Sequence, residues 1–172
     1  MIDNLKKGIY KLKNNYYILV ITSDIPLIKG EIIDKFIEKC FEEKADIYYP
    51  VNPKSYNQEK FPGMKRTYVK FKEETYTGGN MVLFNPEIWN GILDWFEKAI
   101  RWRKKPWKLS RLLGFKFIFK FLLNRLTLKE IEERASEITG CQSRAVIMED
   151  PEIGFDIDKL SDLKLMREKY LV

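Results

Sequence analysis

Residues 18 to 28, ILVITSDIPLI, constrain this chain more than any other stretch. Ile18, Leu19, Val20 and Ile21 are successive apolar residues without the polar alternation of a half-solvated strand, so they read as a strand covered on both faces. Helices on both sides of a sheet provide that cover, which selects an α/β fold. The strand then meets Asp24, and Pro26 turns the chain. An acid just past a buried strand lies at the sheet's carboxyl edge, where open α/β folds bind ligands. A carboxylate there suits a divalent cation, which in turn holds phosphates. Capping of the following turn is the competing role, and spacing alone leaves both open.

The neighbouring segments extend this pattern. Leu5, Ile9 and Leu12 are spaced for a helix over 3–13, and Ile32, Phe36, Ile37, Cys40 and Phe41 for a helix over 31–44. ADIYYP at 45–50 reads as a second strand, so strand, helix and strand form a parallel βαβ unit. Residues 50–63 read as a surface loop, 67–72 as a strand, TGGN at 77–80 as a turn and Met81 to Phe84 as a strand. A helix starts at Asn85-Pro86-Glu87 and runs to about Lys104, where Pro106 ends it. Residues 107–124 are helical, and Thr127 with Glu130 forms a capping pattern for a helix over 127–138. SRAVIM at 143–148 is a strand, 155–158 a short one, and Ser161 caps a last helix. The expected architecture is a three-layer α/β sandwich with a mostly parallel sheet. It forms one domain over 1–172, with a basic helical insertion at 87–125.

Composition narrows the chemistry. The 172-residue chain contains no histidine, which excludes histidine-dependent triads and histidine-ligated zinc and leaves carboxylates as metal ligands. Cys40 and Cys141 lack metal-ligand or CxxC spacing and read as reduced thiols. The longest apolar run, Phe115 to Leu123, is interrupted by Lys116 and Lys120 and is too short for a bilayer. The N-terminal MIDNLKKGIYKL has no signal-peptide core, so the expected location is cytoplasmic. Nine of the 31 basic residues fall within 101–125, which contains no Asp or Glu. The remainder carries 22 basic against 25 acidic residues, so the positive charge belongs to one module. That module also holds Trp102, Trp107, Phe115, Phe117, Phe119 and Phe121. A phosphate-binding wall, an acidic-lipid surface and a single-stranded nucleic-acid site all remain open for it, beside a plain solvated face.

Two further motifs bear on Asp24. GFDIDKLSDL at 154–163 places Asp156 and Asp158 two apart in an extended segment, so one carboxylate at most faces a site shared with Asp24. Phe155 and Ile157 flank Asp156 and give it the buried approach, while Asp158 reads as a cap. In TGGN, Gly78 and Gly79 permit either a tight turn or the close approach of a ligand to the backbone.

Together, the strand ending in SDIPLI, the central TGGN before an apolar strand and the late FDIDKLSDL resemble the MobA-like nucleotidyltransferases, a superfamily that includes sugar-phosphate nucleotidyltransferases. The resemblance implies a nucleotide-diphospho-sugar-transferase-like fold and transfer of a nucleotidyl group from an NTP to a phosphorylated or hydroxyl acceptor. It implies Mg2+ held by Asp24 and Asp156, which are thereby the catalytic pair. It implies that Gly78, Gly79 and Asn80 line the acceptor pocket, and that Arg103 and Lys104 contact phosphate. The partners implied are an NTP and a small anionic acceptor such as a sugar phosphate; nucleic acid is disfavoured. The family opens with a strand and a GGxGxRM loop that have no counterpart here, so the expected domain is N-terminally truncated. That difference keeps a second reading open: a catalytically incomplete binding module that uses its basic helices on an anionic membrane surface. It also allows a homodimer in which a second chain covers the exposed edge.

Overall fold

The computed structural model describes residues 2–12, 16–64, 66–102 and 114–169. In chain order the elements are α1 (Ile2–Leu12), β1 (Ile18–Ile21), α2 (Gly30–Cys40), β2 (Ile47–Pro53), α3 (Lys54–Lys60), β3 (Val69–Lys70), β4 (Thr75–Gly78) and β5 (Met81–Phe84). A 3-10 turn (Pro86–Ile88) leads into α4 (Trp89–Trp102), followed by α5 (Phe115–Leu122), α6 (Leu128–Thr139) and β6 (Ser143–Ile147). A second 3-10 turn (Pro151–Gly154) precedes α7 (Leu160–Lys169).

The six strands form one sheet between helical layers, so the α/β architecture stands. The mostly parallel sheet does not. β1 pairs antiparallel with β5, β5 with β2, β2 with β4, and β4 with β3; β2 and β6 are the parallel pair. The reason lies between β1 and β2. These two strands do run in the same direction, joined by α2 as the βαβ pattern requires, but β5 is inserted between them and runs the other way. Periodicity reports which segments are strands, not which strands are neighbours.

Alternation along the strands divides the core. Leu19, Tyr48, Met81, Leu83 and Val146 face α2, where Ile32, Phe36 and Cys40 cover them. Ile18, Val20, Val82 and Phe84 face the opposite layer, against Ile9 of α1 and Trp89 and Ile92 of α4. On the same side Val51, Tyr76 and Ala145 meet Phe117 of α5 and Leu128 and Ile131 of α6. The expected capping box is present: Thr127 accepts from the Glu130 amide and Glu130 from the Thr127 amide, both at 3.1 Å. The last helix begins at Leu160, one residue before the expected cap Ser161, and Asp162 accepts from the Lys159 amide.

The two edges of the sheet differ. On β6 the outward backbone groups are met by side chains: the Ser143 amide donates to Ser136, the Ala145 amide to Glu132, and the Ile147 carbonyl accepts from Lys39. Among the described residues no strand pairs with the outer edge of β1. None of the described helices is long and apolar enough to cross a membrane.

Candidate functional site

Residues 77–80 are not a hairpin turn. β4 and β5 lie along the same edge of β2, with Val51 opposite Gly78 and Tyr48 opposite Leu83, so Gly79 and Asn80 bulge out of a continuous strand. Pro50 accounts for the bulge. It is fully buried mid-strand and offers no N–H on the side facing β4 and β5, so a regular ladder would fail there. The bulge satisfies its own backbone by other means. The Gly79 amide donates to Pro50 O (2.9 Å), the Asn80 amide to Ile153 O (2.9 Å), and Asn80 O accepts from the Thr22 amide (3.0 Å). Gly79 O accepts from the Tyr49 hydroxyl (2.9 Å).

Both glycines sit in close contact, Gly79 against a rigid ring and backbone and Gly78 against the end of a side chain. A Cβ at 78 would stand 2.3 Å from the Tyr49 hydroxyl, and one at 79 would stand 2.8 Å from Pro50 Cγ. Burial pushes the Tyr49 phenol up from its ordinary pKa; Arg66 opposes that shift and Asp156 adds to it. The expected loop at 50–63 is thus partly strand and partly helix. β2 continues through Pro53 because Val51, Asn52 and Pro53 pair with β4, and α3 follows at once.

The bulge brings the two acidic motifs together. Through Thr22 it holds the end of β1, and through Ile153 it holds the turn before Asp156. The Ile157 amide then donates to Asp24 O at 3.0 Å, so SDIPLI and FDID lie side by side at the carboxyl edge. A small apolar cluster supports both loops from beneath: Leu27 and Ile157 pack with Phe61, Phe155, Leu163 and Met166. The Asp24 side chain is exposed, whereas Phe155 is fully buried and anchors the late motif. Asp158, expected to cap the last helix, is exposed, and the Lys159 amide at the start of that helix donates to Asp162 instead.

Asp156 meets a residue that sequence reasoning missed. Arg66, in the irregular stretch before β3, pairs with the Asp156 carboxylate through Nη1. Its Nη2 donates to Gly78 O (3.1 Å) and its Nε to Thr77 Oγ1 (3.4 Å). Gly154 leaves room for it, since a Cβ there would lie 3.2 Å from Nη2. Asp150 at the end of β6 was also missed. It pairs with Lys35 (2.8 Å), which raises the lysine pKa, and its carbonyl accepts from buried Asn52 (3.0 Å). A signal for Asp150 existed, because Asp150-Pro151 repeats the acid-then-proline ending of β1. Arg66 carried no such pattern.

Of the expected site residues, Asp24, Asp156, Gly78, Gly79 and Asn80 therefore gather at one edge. Arg103 and Lys104 lie outside the described residues. Gly79 is buried, and Gly78 and Asn80 are half-buried. Among the described residues no three acidic or thiol side chains converge into a metal cage. Mg2+ does not need one: it takes one or two carboxylates and fills its shell with water and phosphate oxygens. Asp24, exposed, and Asp156 lie on segments joined by a backbone hydrogen bond, so the two carboxylates fit that demand on condition that both turn to one ion and Arg66 yields Asp156. A trough of about 530 Å3 along the β6 edge is a different matter. Its Glu132 and Arg144 are engaged with the Ala145 amide and with Glu43, closing the edge rather than facing a ligand.

No family model matches the chain, and no curated protein does. Among solved structures, a protein from Thermus thermophilus described as a hypothetical transferase superposes with a TM-score of 0.87 at 35% identity. The match covers 95% of this chain and 69% of that one.

Proposed function

The chain belongs to the same family as the Thermus thermophilus hypothetical transferase, and on that premise we propose that it is a nucleotidyltransferase-like domain. The reaction is attack by an acceptor phosphate or hydroxyl oxygen on the α-phosphorus of an NTP. A new P–O bond forms, the bond to the β-phosphate breaks, and pyrophosphate leaves. The observation that carries the reading is the 3.0 Å bond from the Ile157 amide to Asp24 O, which joins two motifs more than 130 residues apart at the ligand edge of the sheet.

Asp24 and Asp156 would hold Mg2+, which when bound neutralises and orients phosphate oxygens at the reacting centre. The chain's own part is positioning. The Pro26 turn keeps Asp24 at the lip, and Phe155 and Ile157 anchor the segment bearing Asp156. The bulge at Gly78, Gly79 and Asn80, its backbone held by internal contacts, would back the acceptor side that the resemblance assigns to it. Arg103 and Lys104 are assigned the acceptor's phosphate by the family resemblance alone. The test is Mg2+-dependent pyrophosphate release with NTPs and sugar phosphates. Asp24→Asn is expected to lower the rate more than about tenfold, ~1.4 kcal/mol of barrier; a smaller loss overturns the metal role.

A second reading has one observation in its favour. On α5, Phe119 and Leu122 are 66% and 70% exposed and share a face with Leu123. They belong to the segment with nine cations and no acid. Such a face suits an anionic membrane surface. Sedimentation with acidic vesicles, reversed by salt and lost in Phe119→Glu, supports this reading; no sedimentation rejects it.

A further inference from the structure

We propose that Arg66 is a phosphate-binding residue whose guanidinium holds Asp156 only until a divalent cation takes that carboxylate, and then receives a phosphoryl group of the substrate. The inference rests on the metal reading above and adds the residue that couples metal to anion.

The anchoring of Arg66 supports this exchange. Two of its three contacts, Thr77 Oγ1 and Gly78 O, belong to the sheet and do not depend on Asp156. If the Asp156 carboxylate turns to a cation, the guanidinium stays in place and its Nη1 donors lose their acceptor. A guanidinium has five N–H donors and no acceptor, in a fork that matches phosphate oxygens. The side chain is only 10% exposed while paired with Asp156, so an anion can reach its Nη1 only after that carboxylate has turned away. A guanidinium left without it is costly unless an anion replaces it.

Electrostatics then sets an order. A divalent cation at Asp156 would sit beside a fixed positive charge that has just lost its counter-ion. That arrangement is unfavourable until an anion lies between the two cations. Metal alone should bind weakly, metal with phosphate should bind tightly, and the coupling must be reciprocal. Lysine cannot replace Arg66 here, because a single ammonium cannot keep both sheet contacts and present a fork.

The experiment measures Mn2+ affinity by electron paramagnetic resonance at constant ionic strength, with sulfate replacing chloride as a weakly chelating stand-in for phosphate. The wild-type protein is expected to bind Mn2+ at least about fivefold tighter in sulfate, the lower end of ordinary coupling. Arg66→Met is expected to bind Mn2+ tighter than wild type in chloride and to gain nothing from sulfate. Arg66→Lys, which keeps the charge without the fork, should bind weakly in chloride and also gain nothing; it serves if the methionine variant does not fold by circular dichroism. A wild-type affinity indifferent to sulfate, or a folded Arg66→Met with unchanged or weaker Mn2+ binding, overturns the exchange. Where Asp24→Asn still abolishes Mn2+ binding, the metal reading survives that failure. Absence of Mn2+ binding in wild type and both Arg66 variants removes the metal reading and the exchange together.

Discussion

Gly79→Ala tests the bulge on which the candidate site is built. The added methyl would stand 2.8 Å from Pro50 Cγ, 3.3 Å from Ile153 O and 3.4 Å from Ile153 Cγ2. None of these can move cheaply: Pro50 is a rigid ring in the middle of β2, and Ile153 O accepts the Asn80 amide. Overpacking a well-filled site costs about 1–3 kcal/mol, which for a domain of this size lowers Tm by roughly 2–12 °C. Gly78→Ala is the informative neighbour. Its clash is with the Tyr49 hydroxyl, the desolvated tip of a side chain that is otherwise partly exposed and can rotate outward if it gives up its bond to Gly79 O. The loss is then one hydrogen bond, about 0.5–1.5 kcal/mol, and Tyr49→Ala should remove the penalty in the double variant. Gly91→Ala is the control: beyond its chain neighbours and its own helix backbone no atom lies within 4 Å of its Cβ, and alanine in a helix should stabilise by about 0.5–1 kcal/mol. Thermal melts by calorimetry rank the three. If Gly79→Ala melts no lower than wild type, residues 77–80 form an open turn after all, and the contact between Asp24 and the late motif loses its scaffold.

Two other predictions concern titratable groups. Glu130 is held below its ordinary pKa of 4.5, first by the Lys120 ion pair and then by the Thr127 amide. A depressed folded pKa means that the stabilisation is present above about pH 4.5 and is lost as the pH falls through the folded value. Glu130→Gln should therefore flatten part of the acid limb of a Tm-versus-pH curve, and an unchanged limb would rule this out. Burial pushes the Cys40 thiol up to about 12, so at pH 8 Cys40 should resist a disulfide reagent until the protein is unfolded in urea. Mass spectrometry of the native protein with Cys40 rapidly modified would contradict its place in the core.

How much of this was legible depends on whether the signal is local. Strand β1, helix α2 and the α6 capping box were readable because a strand's apolar run, a helix's spacing and a cap's side chains are all written within about a dozen residues. Asp24 and Asp156 each stood out locally, as an acid beside a buried segment, but it was the family resemblance that made them a pair; the backbone contact between their motifs is what the fold adds. Strand adjacency was not readable: β1 and β2 have the direction that a βαβ unit demands, yet β5 lies between them. The reversed strand carries the bulge because Pro50, which looked like the start of a loop, sits mid-strand. Arg66 was the hardest case, since it is one of 31 basic residues and nothing within a few positions marks it. What sets it apart is the company it keeps: Thr77, Gly78 and Asp156 are 11, 12 and 90 positions away. The family resemblance proposed two carboxylates as a metal site, but the guanidinium already paired with one of them was not legible. That neighbour changes the chemistry expected of the site. If the proposed exchange operates, Arg66, fixed against the sheet by Thr77 and Gly78, would make the cleft one in which metal and phosphate favour each other rather than a simple acidic cradle.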